Sequence, residues 1–315
     1  MRFGAAFWIN RTSWPALFDA CRAVEAAGWD SLWIDDHLLA DEGDPGDDKL
    51  EGWATLAALA VTVPRIRLGL LVAANTFRNP GLTAKLATTL DHLSGGRLVL
   101  GLGGGWFARE HEAFGIDFGQ GFGDRLDRLD EATGLIRRLL DGETVTHRGA
   151  YYSMHEAMCR PRTLQARLPI LIGGSGPTKT LRTTARYADL WNGFGTPDRI
   201  AEVGATLDAR CDEIGRSPGE IERTVTINAV VRATADAAET AWRALADRHG
   251  IVGRVGPDGT ERGLDAHGPA PVLARLADAY RWAGIGEVIV VFRSPFDLET
   301  IERLADVRAA LQDDP

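Results

Sequence analysis

The sequence predicts an α/β fold, a (β/α)8 TIM barrel in a single domain spanning residues 1–315, and three observations carry that prediction. Strand-like apolar runs alternate with amphipathic helical stretches along the whole chain. No Pro-, Gly- or Ser-rich linker divides it. Glycine clusters follow several of the strands, at the end where a barrel keeps its functional loops.

The strand candidates are Arg2 to Ile9, Ser31 to Ile34, Ile66 to Ala73, Arg97 to Leu102, Pro169 to Ile172, Leu190 to Phe194, Thr224 to Val231 and Glu287 to Phe292. Most are short continuous apolar runs, as expected of strands covered on both faces in a parallel sheet. Helical spacing fills the gaps at Pro15 to Ala27, Trp53 to Val63, Gly81 to Leu93, Arg125 to Leu140, Thr178 to Tyr187, Asp198 to Ile214, Ala235 to Asp247 and Ala270 to Ala283. Asn79-Pro80-Gly81 stops the third strand and opens a helix, with Pro80 in the first turn, where its missing donor costs little. Leu82, Leu86, Leu90 and Leu93 are expected to pack that helix on the sheet, and Ser94-Gly95-Gly96 ends it. Three segments interrupt the repeat: the acidic loop Leu39 to Lys49, a hairpin over Asp141 to Pro161, and a Gly- and charge-rich excursion from Gly250 to Gly268. Each is expected to be an insertion that shapes the pocket.

Composition narrows the function classes. The 315 residues are 45% hydrophobic and 25% charged with a net charge of -9, which disfavours nonspecific nucleic-acid binding. The longest apolar stretch, near Leu56 to Val63, is too short to span a membrane. Cys21, Cys159 and Cys211 lie far apart without metal-ligand spacing, so reduced thiols in a cytoplasmic protein are expected.

Asp35, Asp36 and His37 come directly after the second strand, at the functional rim of a barrel. A histidine there can carry a proton, hold a cofactor or ligate a metal. A solvated loop is the plainer reading, and a metal hydrolase is the rival functional one, weakened because no second histidine stands at ligand spacing. The fourth strand runs into Gly101, Gly103, Gly104, Gly105 and Trp106, where glycines allow a tight turn and close approach of a ligand. It is not the dinucleotide fingerprint, which needs a glycine at Trp106. Gly173-Gly174-Ser175-Gly176-Pro177 joins the fifth strand to a helix, a junction that suits a phosphate, with Lys179 near enough to add charge. Trp8, Asn10, Trp33, Trp53, Trp106, Phe107, Trp191 and Asn192 stand at or near strand ends and suit a flat ring system, although most tryptophans are simply core.

In order along the chain, SLWIDDH, LVAANTFRNP, LSGGRLVLGLGGGWFAREHEAFG, PILIGGSG and ARYADLWN resemble the bacterial-luciferase-like flavin and deazaflavin oxidoreductases, from about Met1 to Asn192 and more weakly at the last strand and helix. The resemblance implies a barrel holding coenzyme F420, or alternatively FMN, at its C-terminal rim. It implies a non-proline cis peptide in a third-strand bulge around Leu70 to Ala73, with Ala73, Ala74 and Asn75 against the cofactor. It gives Asp36 and His37 to the ring and reacting centre as the catalytic pair, Gly104, Gly105 and Trp106 to one wall, and Gly173, Gly174, Ser175 and Gly176 to the phosphate. Trp8, Asn10, Trp191 and Asn192 are then expected around a small-molecule substrate, with no metal. Family members often form dimers, and the FMN alternative, a monooxygenase using O2, implies a separate reductase. One departure stands out. Sugar-phosphate dehydrogenases of the deazaflavin branch keep a glutamate in the loop after the fourth strand, where this chain has Trp106, with Glu110 one helical turn later. That substrate and that acid are therefore not assigned.

Overall fold

The computed structural model describes residues 1–251 and 265–312. In chain order the first half comprises β1 (Arg2–Trp8), α1 (Trp14–Ala26), β2 (Ser31–Ile34), α2 (Gly52–Thr62), β3 (Arg67–Leu70), β4 (Ala73–Ala74), α3 (Pro80–Ser94), β5 (Leu98–Gly103), α4 (Ala108–Phe114) and α5 (Phe122–Leu140). The second half comprises β6 (Val145–Arg148), β7 (Ser153–Ala157), β8 (Ile170–Gly173), α6 (Thr180–Tyr187), β9 (Leu190–Gly193), α7 (Pro197–Asp212), β10 (Glu222–Val231), α8 (Ala235–His249), β11 (Asp265–Gly268), α9 (Ala270–Trp282), β12 (Glu287–Arg293), α10 (Leu298–Glu302) and α11 (Leu304–Gln312). Strands β1, β2, β3, β5, β8, β9, β10 and β12 pair in parallel in that order, and β12 returns to β1, so the barrel closes. All eight strand candidates are present.

Alternation along each strand sorts side chains between two cores. Phe3, Ala5, Phe7 and Ile9 of the first strand segment face the helices, while Ala6 joins Trp33, Val99, Leu171, Leu190 and Ile289 inside the barrel. Gly69 makes room there: a Cβ on it would strike the Trp33 indole and the Val99 carbonyl.

The third strand breaks its regular pairing. Gly69 pairs with Val99 but Ala73 pairs with Leu102, so this strand uses four residues where β5 uses three, a bulge at Leu71 and Val72. A non-proline cis peptide joins those two residues, inside the expected window. Glycines on the next two strands, β5 and β8, accommodate the bulge. A Cβ on Gly101 would meet the Leu70 carbonyl, one on Gly103 would lie 2.5 Å from Val72 Cγ2, and one on Gly173 would lie 3.1 Å from Val72 Cγ1.

One expectation is corrected and further elements are added. The buried stripe of α3 is Thr83, Ala84, Ala87, Thr88, Leu90 and Asp91, and Leu82 and Leu93 point outward. Small residues face the sheet because they let the helix lie close, which the leucine spacing alone concealed. Residues 107–115, outside the expected helical stretches, contain helix α4, short and rich in polar residues. The C-terminal tail adds α10 and α11. The expected excursion from Gly250 to Gly268 lies mostly outside the described residues, but its end forms β11, paired in parallel with β10. The hairpin is present as antiparallel β6 and β7, and all three cysteines are free and buried. No described helix is long and apolar enough to cross a membrane.

The bulge requires its glycines. Gly101→Ala should lower unfolding stability by about 1–3 kcal/mol, because the added methyl meets backbone and not a flexible side chain. Chemical denaturation at constant m checks this, and an unchanged midpoint would contradict it.

Candidate active site

The end of β2 delivers three charged residues to the rim, and each makes a different set of bonds. Asp35 accepts the Ile9 N–H at 3.0 Å and pairs with Lys49, whose ammonium also donates to Asn10 Oδ1 at 2.7 Å. Asn10 in turn donates to Asp41 Oδ1 at 3.0 Å. The acidic loop 39–49 thus folds inward and supplies two members of the cluster. Asp36 accepts the Ala74 N–H at 3.1 Å and two bonds from Arg78, at 2.7 and 3.1 Å. Its side chain is fully buried and both its oxygens are hydrogen-bonded, so it anchors β4.

His37 is the third. Its Nδ1 lies 2.9 Å from Glu110 Oε1, and Glu110 Oε2 accepts the Leu38 N–H at 2.8 Å. Glu110 is 1% exposed on α4, so helix and β2 loop are joined by one buried carboxylate. The other ring nitrogen, Nε2, lies 3.7 Å from Asp41 Oδ2. Burial pushes the His37 pKa down, but the Asp41 charge, the Glu110 hydrogen bond and Asp35 outweigh it and raise it from 6.5 to about 9. For Asp41, burial acts upward, and His37 and Lys49 outweigh it and hold the carboxyl below its usual range. The ring is therefore a cation at neutral pH, oriented through Nδ1 and able to give a proton from Nε2.

Asp35, His37 and Asp41 also bring ligand atoms within 4.8 Å of one another. Lys49 is bonded to Asp35 and lies 3.6 Å from Asp41, so a cation already occupies the position a metal would need. The cluster reads as an ion network.

The glycine loops serve different ends. Gly104 packs under Leu126, and Gly105, with φ of 75°, sits beside Thr76 while its carbonyl accepts Arg125 Nε at 3.1 Å. Trp106 remains 55% exposed. After β8, Gly174 has φ of 120° and its N–H is taken by the Asn192 carbonyl, leaving Ser175 and Gly176 as the turn's open amides among the described residues. Lys179 does not serve this turn, because its ammonium pairs with Asp127 at 2.6 Å and donates to the Gly123 carbonyl at 3.0 Å. Those contacts press the first turn of α5 against the β8–α6 connection. A second cation of α5, Arg125, lies on the side of the Gly105 loop, 6% exposed, its guanidinium 3.7 Å from the Phe118 ring centre and bonded to no carboxylate among the described residues. Sequence reading left Glu110 unassigned and missed Arg125. Both lie on helices whose placement depends on the barrel closing.

The remaining residues divide. Trp8 packs inside the barrel beside Val72, and Ala73, Ala74 and Asn75 are buried next to them, with Asn75 Nδ2 donating to Tyr152 of the hairpin at 3.1 Å. Asn192 points into the barrel and bonds Thr224 and Thr226. Trp191 is turned the other way: it lies in the outer core against α7, and its indole N–H donates to the Gly174 carbonyl at 2.8 Å. Strand alternation puts it one residue out of phase with the pocket, so it supports the glycine turn from behind and is removed from the substrate wall.

Residues 3–289 match the family model for luciferase-like monooxygenases. The chain is 31% identical over 260 residues to the F420-dependent hydroxymycolic acid dehydrogenase of Mycobacterium tuberculosis, covering 81% of this chain and 70% of that one. It is 32% identical over 242 residues to a pyrimidine monooxygenase of Methylobacterium radiotolerans, covering 74% and 61%. Its fold matches that of an F420-dependent secondary alcohol dehydrogenase in complex with an F420-acetone adduct at a TM-score of 0.81 and 19% identity, over 99% of both chains.

The raised pKa of His37 has a measurable consequence for stability. Because the folded value lies above the unfolded one, the protonated ring's contribution is complete below about pH 6.5 and is lost as pH rises through about 9. Denaturation midpoints should therefore fall across that window in the native chain and stay flatter in His37→Gln. A histidine NMR titration should find the His37 midpoint lowered by Glu110→Gln, and a midpoint near 6.5 in the unsubstituted chain would refute the assignment.

Proposed function

Because the chain belongs to the luciferase-like monooxygenase family, we propose that it is an oxidoreductase that moves a hydride between coenzyme F420 and a small organic substrate, with His37 carrying the accompanying proton. The observation that carries this reading is the His37–Glu110 pair: a ring fixed through Nδ1 by a buried carboxylate and charged at neutral pH is suited to protonating an oxygen as hydride arrives. The F420-dependent name of the hydroxymycolic acid dehydrogenase supports the choice of cofactor. The pyrimidine monooxygenase supports the alternative, FMN with O2 and reduced flavin from a partner reductase.

The residues fit such a group. Val72, on the bulge cleared by Gly103 and Gly173, offers a platform at the barrel mouth for a flat ring. Ser175 and Gly176 offer amides and Arg125 a cation for a phosphate. F420, when bound, supplies or accepts the hydride at its ring. Asp36 holds Ala74 and thereby the bulge in place, Glu110 sets the tautomer and direction of His37, and His37 Nε2 holds the proton.

Equilibrium titration with F420 and with FMN tests the proposal, and micromolar FMN binding with no F420 binding would overturn the choice of cofactor. Arg125→Gln should weaken whichever phosphorylated cofactor binds by about ten- to a hundredfold while leaving its phosphate-free core, deazariboflavin or riboflavin, unaffected; Lys179→Met should change neither affinity. His37→Gln should lower turnover by roughly 10²-fold or more with cofactor affinity kept within a few fold, and equal turnover would remove His37 from the reaction.

A further inference from the structure

Arg293 ends the last barrel strand with its binding edge already taken. Ile289 and Val291 of β12 lie in the inner core, so alternation turns Arg293 inward at the mouth, level with Trp8 on the neighbouring strand. The side chain is buried, and Nη1 donates to Asn228 Oδ1 at 2.7 Å, while Asn228 Nδ2 donates to Asp265 Oδ1 at 2.8 Å. That bond holds the guanidinium so that its Nε–Nη2 edge faces Glu42, whose carboxylate accepts from the two nitrogens at 2.6 and 2.8 Å. This is the paired geometry in which arginine grips a free carboxylate.

Glu42 is not part of the barrel. It lies on loop 39–49 between Asp41 and Gly43, and its side chain reaches solvent more than that of Arg293. A further group faces the same pair. Arg11 donates to the Arg248 carbonyl at 3.3 Å and so ties the end of α8 to the rim. There His249, 8% exposed, keeps Nε2 buried and bonded to nothing among the described residues, with Arg293 and Glu42 the charges that act on it most. A tether for the loop needs only the arginine and the glutamate, and it leaves the open histidine nitrogen unexplained. Stranding a buried guanidinium is costly, so whatever displaces Glu42 has to bring a negative charge of its own.

We propose that Arg293 and His249 form a carboxylate subsite for the substrate, that Glu42 occupies it in the free chain, and that the substrate's acid group takes its place. This rests on the oxidoreductase reading in giving the acid to the substrate. Strands β2 and β12 stand two places apart round the barrel, about 10 Å, so one small compound spans from His37 to Arg293.

Benzoate is the probe and benzamide its neutral counterpart, with binding read by calorimetry on the full chain without added cofactor. Glu42→Gln should bind benzoate about tenfold more tightly than the native chain, because the competing charge is gone, and benzamide no more tightly. Equal benzoate affinity in the two chains, or none in either, would overturn the proposal. Adding Arg293→Gln to Glu42→Gln replaces the ion pair with amides that still hydrogen-bond, and should weaken benzoate at least about tenfold; adding His249→Ala should weaken it about threefold or more. Unaltered affinity in either would also overturn it. Arg109, exposed on α4 and without a carboxylate partner among the described residues, is the control, and loss of benzoate binding in Arg109→Gln would place the acid there instead. F420 affinity should not change when Arg293→Gln is added, and a tenfold loss would give the subsite to the cofactor's own anionic groups and refute it. A chain that binds no F420 contradicts the cofactor reading alone, because the benzoate measurements use none.

Discussion

Asp36 is the joint on which the rim depends. The third strand carries one residue more than its neighbour, and the surplus at Leu71 and Val72 has to project into the barrel mouth. A buried carboxylate that accepts the Ala74 N–H and two Arg78 donors fixes where that projection ends. Removing one partner of such a buried pair typically costs about 3–5 kcal/mol, because the other charge is left without compensation. The glycines opposite complete the arrangement by being empty where the bulge needs space.

From that joint the mouth divides into two electrostatic halves. On one side His37, Glu110, Asp41, Asp35 and Lys49 form a connected network in which proton position is set by burial and neighbouring carboxylates. On the other, Arg125 lies against Gly105 and Phe118 with no carboxylate partner among the described residues, while Lys179 is neutralised by Asp127.

Much of the architecture was legible before folding was considered. Eight apolar runs alternating with amphipathic segments led to a closed barrel, and the Asn79-Pro80-Gly81 start was read correctly, with Asn79 accepting the Gly81 N–H. Less legible were elements whose local signal is weak or misleading. Helix α4 is short and polar, and the packed face of α3 is made of alanines and threonines that carry less pattern than its exposed leucines. Trp191 looked like a pocket residue because it stands at a strand end, yet alternation turns it to the helices.

By itself the sequence determined the repeat, the strand ends that carry chemistry, and the identity of His37 as the group to watch, because periodicity and residue type are local properties. Tertiary structure decided which charges meet. Glu110 reaches His37 across 73 residues, Lys49 fills the gap between two aspartates, and Asp127 takes Lys179 away from the glycine turn after β8. These pairings depend on distances set by barrel closure and on burial, which together fix the pKa of a side chain, and neither is written in the spacing of residues along one strand.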